Sequence, residues 1–102
     1  MARYRVCAAA QVGPDSLRRV AAGGREICLA HTKAGEWFAL DDICSHEMFS
    51  LSEGELWGDD VECPQHGSRF NLRTGNPDVP PAVVPVATYP VSVEGEDVYV
   101  DV

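Results

Sequence analysis

Nine glycines and seven prolines punctuate the 102 residues of this chain, and between them the apolar residues alternate over short runs instead of recurring at helical spacing. That pattern predicts an all-β fold of antiparallel sheets. Residues 3–9 read as a first strand, turned away at Gly13-Pro14-Asp15. Residues 17–22 and 25–31 flank Gly23-Gly24 and read as a hairpin, with Ile27 and Leu29 on one face. After Lys33-Ala34-Gly35, residues 36–40 make another strand, Trp37 and Ala39 facing one way and Phe38 and Leu40 the other. Over 41–75 the alternation is broken repeatedly by Gly54, Gly58, Pro64, Gly67 and Gly75. Only the short pieces 55–57, 61–63 and 69–72 remain strand-like there, braced among loops. Residues 76–85 carry Pro77, Pro80, Pro81 and Pro85, so they are expected to be extended and excluded from a central sheet. Alternating valines over 86–93 and 97–102 read as a closing hairpin around Glu94-Gly95-Glu96.

A chain of this length encloses one modest core, which predicts a single domain, 1–102. Sixteen acidic residues against eight Lys and Arg leave a net charge of −8, which opposes phosphate backbones and anionic membranes and argues against nucleic acid or membrane as partners. The same acidity serves either solubility alone or docking onto electropositive proteins. No apolar run is long enough to span a bilayer. The short apolar run after Arg3 and Arg5 is too brief for a signal peptide, and Arg18-Arg19 is followed by no apolar segment. The expected compartment is the cytoplasm, where four cysteines point away from a disulfide scaffold.

Two of those cysteines have histidine neighbours: Cys44-Ser45-His46 and Cys63-Pro64-Gln65-His66-Gly67-Ser68. Two thiolates and two imidazoles on paired loops are a metal-binding set. Spacing alone leaves tetrahedral zinc and iron both open.

The paired pattern Cys-x-His and Cys-x-x-His, with glycine directly after the second histidine, resembles the Rieske iron–sulfur proteins. It resembles above all the Rieske ferredoxins of bacterial ring-hydroxylating dioxygenase systems. The likeness extends to Gly35-Glu36-Trp37-Phe38-Ala39-Leu40, Leu51-Ser52-Glu53-Gly54, Phe70, Arg73-Thr74-Gly75, the proline-rich segment and the terminal valine hairpin. It implies the Rieske fold, with a loop-rich cluster-binding subdomain at about 41–75 in a β-framework. It also implies one [2Fe–2S] cluster, with Cys44 and Cys63 on one iron and His46 and His66 on the other. Two ferric ions, two sulfides and two thiolates sum to zero charge, which eases electron uptake; Rieske centres span roughly −150 to +300 mV against about −400 mV for plant-type ferredoxins.

High-potential Rieske proteins of cytochrome complexes carry a further disulfide at the positions of Phe49 and Gln65, and a tyrosine at that of Phe70. Ser68 does match their serine, whose hydroxyl donates to a bridging sulfide and raises the potential. The resemblance therefore implies a potential toward the low end of the range, with Ser68 lifting it, and a lower midpoint in Ser68→Ala. It implies an electron carrier with no catalytic residues of its own, a monomer that takes electrons from a flavin-dependent reductase and delivers them to a terminal non-haem iron oxygenase. Glu47, Met48, Phe49, Gln65 and Gly67 are expected to surround the docking tip, with Phe49 the better candidate for simply packing over the cluster.

Three alternatives have the same frame or ligands: a Rieske ferredoxin serving iron–sulfur assembly, a nitrite reductase small subunit, and a redox-inactive zinc module. Several residues look functional and are expected to be structural. Cys28 and His31 repeat the second ligand spacing but point to opposite faces of a strand. Cys7 reads as a buried small hydrophobe. Trp37 and Trp57 read as core, and Asp41, Asp42, Asp59 and Asp60 as solvated turn residues.

Overall fold

The computed structural model describes residues 2–44, 49–64, 67–80 and 84–102 of the chain. The first hairpin forms where the glycine pair sits: β2 (Ser16–Ala22) and β3 (Arg25–His31) are joined by Gly23 and Gly24 at φ 56° and 79°. Both values are left-handed, the geometry that lets a two-residue turn follow the twist of its strands. β3 pairs on its other side with β4 (Trp37–Asp41), and β4 with β9 (Thr88–Tyr89), giving a sheet ordered β2-β3-β4-β9.

Residues Ile27 to Ala30 are all buried, because β3 divides two cores. Ile27 and Leu29 pack with Cys7, Val12, Ala39, Val98 and Val100. Cys28 and Ala30 pack on the opposite side with Leu40, Cys44, Leu51, Val61, Cys63 and Phe70. Trp37 and Ala39 share the first core and Phe38 and Leu40 the second, as the alternation predicts.

A second sheet has the order β1-β11-β10, from β1 (Arg3–Ala8), β10 (Val91–Glu94) and β11 (Asp97–Asp101). The expected closing hairpin is only partly realised. Pro90 has no N–H to continue a ladder, and the run breaks there. Before it, β9 pairs with β4; after it, β10 pairs with β11 in the other sheet.

The third sheet is antiparallel and made of very short strands, β5 (Glu55–Trp57), β6 (Asp60–Glu62), β7 (Arg69–Asn71) and β8 (Pro77–Val79), in that order. The proline-rich segment thus contributes an edge strand, the one sheet position its missing donor permits. Two single-turn 3-10 helices, Ala9–Gln11 and Leu51–Glu53, were not expected. Among the described residues no helix is long and apolar enough to cross a membrane.

Candidate metal centre

Cys44 leaves the end of β4, and Cys63 leaves the end of β6. Each lies at the base of a loop whose two stems are joined by backbone hydrogen bonds. Cys44 N–H donates to Phe49 O at 2.9 Å, and Cys63 N–H to Ser68 O at 2.7 Å. The second loop is the continuation of a ladder, since Glu62 pairs with Arg69 and Val61 with Phe70. The first rests on an isolated bridge between Ile43 and Ser50. Gly67, directly after the second loop's histidine, has φ 71°, a conformation that a Cβ would strain. Gly54 closes the first loop against the second: a Cβ there would lie 1.7 Å from the carbonyl oxygen of Glu62.

Both cysteines are buried, at 3% and 1% exposure, and belong to one core cluster with Leu51, Val61, Phe70 and Leu72. None of the four cysteines is in a disulfide. Two buried, unoxidised thiols at the bases of paired loops are soft donors in an apolar shell, which suits an iron–sulfur group. His46 and His66 lie outside the described residues, as do Glu47, Met48 and Gln65. Ser68 is fully buried beside Cys63's loop, and Phe70 is fully buried in the same core.

The decoys behave as read. His31 Nδ1 lies 2.8 Å from Val12 O, and its ring stacks on Trp37 at 3.9 Å, on the opposite side of β3 from Cys28. Burial raises the thiol pKa of both Cys7 and Cys28, so neither is a reactive thiolate. Three expectations fail. Trp57 is not core; it is 48% exposed at the β5–β6 turn, lying against the Arg69 guanidinium, which is 4.5 Å from the ring centroid and 3.0 Å from Glu62. Phe49 is 41% exposed and so does not pack as a cover.

Three of the four aspartates are not mere solvated turns, while Asp59 is exposed in the β5–β6 turn as expected. Asp42 is fully buried, and its carboxylate accepts from Ser52 N–H at 3.0 Å. Asp41 accepts from the Tyr89 hydroxyl at 2.6 Å and from Ala87 N–H at 3.3 Å, tying β4 to the chain after the proline-rich segment. Asp60 hydrogen-bonds Asp78 across β7, linking the edge strand β8 to β6. No periodicity marks such residues. The only hint was that acidic side chains sat where strands end.

The Asp60 pair makes the third sheet pH-sensitive. Burial and the shared hydrogen bond with Asp78 push the Asp60 carboxyl up to about 6; Asp78 and Asp59 also raise it by charge, while Arg69 opposes them. A carboxyl raised in the folded state lends its stability fully below its unfolded value of about 4 and loses it as pH rises through 6. Asp60→Asn keeps a donor to Asp78 without the charge, so it should stabilise the protein most at pH 7.5, about half as much at pH 5, and leave it nearly unchanged at pH 3. Urea midpoints across that range read this, and parallel curves for the two proteins would rule the shared proton out.

The Rieske [2Fe-2S] domain family matches residues 2–90. The chain belongs to the Rieske [2Fe–2S] family. Ferredoxin CarAc of Metapseudomonas resinovorans is 41% identical over 96 residues, covering 94% of this chain and 90% of that protein. The ferredoxin component of biphenyl 2,3-dioxygenase from Rhodococcus jostii (strain RHA1) is 41% identical over 101 residues, covering 99% and 94%. Among solved structures, a complex of reduced oxygenase and oxidized ferredoxin in carbazole 1,9a-dioxygenase contains a chain superposing with a TM-score of 0.87 at 39% identity, covering 96% of this chain and 91% of that one. The fold is the Rieske fold, the family's group is a [2Fe–2S] cluster, and the role is that of a ferredoxin-type electron carrier and not of a catalytic enzyme.

Proposed function

We propose that this chain holds one Rieske-type [2Fe–2S] cluster on Cys44, His46, Cys63 and His66, and carries single electrons from a flavin-dependent ferredoxin reductase to a terminal non-haem iron oxygenase. The observation that carries the reading is the placement of Cys44 and Cys63: two buried thiols in one core, at the bases of two adjoining loops that each bring a histidine. In this reading residues 41–75 are the cluster-binding subdomain of a single Rieske domain, 1–102, and the protein works as a cytoplasmic monomer. The cluster supplies one-electron uptake and release in a range set by its imidazole ligands.

The chain's own residues do the rest. Leu51, Val61, Phe70 and Leu72 exclude water behind the thiolates. Ser68 is the donor assigned to a bridging sulfide. Phe70, lacking a hydroxyl, offers no such bond at the position where high-potential relatives have one, which keeps the potential toward the low end. Phe49 and Pro64 are exposed on the two loop stems and form part of the face offered to partners. Relatives that serve dioxygenase systems, one type of which is seen in complex with its oxygenase, favour an oxygenase as acceptor over an iron–sulfur assembly protein.

The test is an optical and electron-spin-resonance spectrum of the oxidised and dithionite-reduced protein, with iron and zinc content. A Rieske oxygenase component is then added to the reduced protein. The expected result is a brown protein with two irons per chain, a low average g-value, and reoxidation by the oxygenase under dioxygen-free conditions. A colourless protein with stoichiometric zinc after anaerobic, iron-replete preparation would overturn the reading.

A further inference from the structure

The first ligand loop has the weaker base. Among the described residues its backbone stems are joined by one isolated bridge, Ile43–Ser50, whereas the second loop tops a regular ladder. One residue below that bridge sits Asp42, fully buried. Its backbone N–H donates to Glu26 O at 3.1 Å, anchoring it to the sheet beside β3. Its carbonyl accepts from Leu51 N–H at 2.6 Å, and its carboxylate Oδ1 from Ser52 N–H at 3.0 Å. The chain returning from the loop is thus held by two consecutive amides, on the backbone and the side chain of a single residue. Those amides open the Leu51–Glu53 turn and would otherwise be orphaned in the core.

A buried carboxylate is a costly way to fill space, and its second oxygen, Oδ2, has no hydrogen-bond partner among the described residues. An apolar side chain would avoid that desolvation, so packing alone does not account for an aspartate here. What only an acceptor at this point supplies is closure of the loop stem.

Resting on the reading that Cys44 and His46 are ligands, we propose that Asp42 is the positioning residue of the first ligand loop, its carboxylate latching Ser52 so that the loop presents its ligands in one geometry. The latch acts through the loop and does not touch the cluster. Asparagine at this position keeps an acceptor for Ser52; alanine does not.

The experiment compares holoprotein with wild-type sequence, Asp42→Ala, Asp42→Asn and Leu29→Ala. Leu29 is fully buried in the other core, so its truncation lowers global stability without reaching the loop stem. Cluster release to an iron chelator is followed by visible absorbance, and ligand geometry by the g-values of the reduced protein. Asp42→Ala should release iron on the order of tenfold faster than wild type, with shifted or broadened g-values. Asp42→Asn should restore both, and Leu29→Ala should leave both unchanged in native buffer. Hydrogen exchange at the Ser52 amide of the wild-type protein is read separately and should show strong protection.

Wild-type release and g-values in Asp42→Ala overturn the proposal, as does equal acceleration in Leu29→Ala. A Ser52 amide that exchanges like an exposed one also overturns it, whether or not Asp42→Ala folds. A wild-type protein that binds no [2Fe–2S] cluster fails at the earlier step and removes the reading on which the proposal rests.

Discussion

Cys63→Ser is expected to leave a colourless protein whose iron content falls to background, while Cys28→Ala should remain brown with its full complement. The two cysteines share one core and are equally buried, so burial alone does not separate them. Position does: Cys63 directly follows β6 at the base of a loop, and Cys28 lies within β3, its partner in spacing, His31, stacked on Trp37 at the other side of the strand. A serine oxygen is a poor replacement for a thiolate at iron. Because ligand binding is also folding free energy, Cys63→Ser should unfold at lower temperature than the holoprotein and close to the temperature of apoprotein. Cys28→Ala loses only a small buried side chain, at about 1–2 kcal/mol. Iron analysis and thermal unfolding of both variants decide the matter; a Cys63→Ser protein that keeps two irons would displace the ligand assignment.

Gly54→Ala is the backbone change with the largest expected cost. Its Cβ would stand 1.7 Å from Glu62 O, 3.0 Å from Glu62 C and 3.2 Å from Leu51 O, all main-chain atoms that no rotamer change can move aside. The two loop stems meet at this point, since Leu51 follows the first loop and Glu62 precedes Cys63. Accommodating one methyl means prising the stems apart, which should cost about 3 kcal/mol or more. For a domain of this size that lowers the melting temperature by on the order of 15 °C. Gly24→Ala supplies the comparison: φ is 79° but nothing lies within 4 Å, so only left-handed strain is paid, about 1–2 kcal/mol. Equal melting temperatures in the two variants would mean that the close approach at Gly54 does not constrain the stems.

Much of the framework was legible because its signals are local. Gly23-Gly24 fixes a hairpin, alternation over 36–40 assigns faces, and interrupted alternation over 41–75 announces loops with short strands. The two cysteines of the candidate site were legible for a different reason: thiolate and imidazole in a repeated pattern have few structural uses. What escaped the sequence depends on partners far away along the chain. The aspartates at 41, 42 and 60 looked like solvent-facing turns, yet they are used by Tyr89, Ser52 and Asp78. Trp57 looked like core because tryptophan generally is, but the β5–β6 turn carries it outward onto Arg69. The valine run over 86–93 reads as one strand, and only the competition of two sheets for it reveals why Pro90 matters.

The order β1-β11-β10 places the last strand between the first and its neighbour. Arg3 pairs with Asp101, almost the whole chain away, and Ala2 and Val102 exchange both backbone hydrogen bonds. A ribosome therefore releases β1 long before the strand that completes its sheet exists, and the core containing Cys7, Val98 and Val100 has to wait until β11 has been made. Such distant pairing folds on the slow side for a small domain. Both cysteine-bearing loops emerge well before that moment, and the core around Cys44 and Cys63 draws on neither β1 nor β11, so it can close while the other half of the frame is still unfinished.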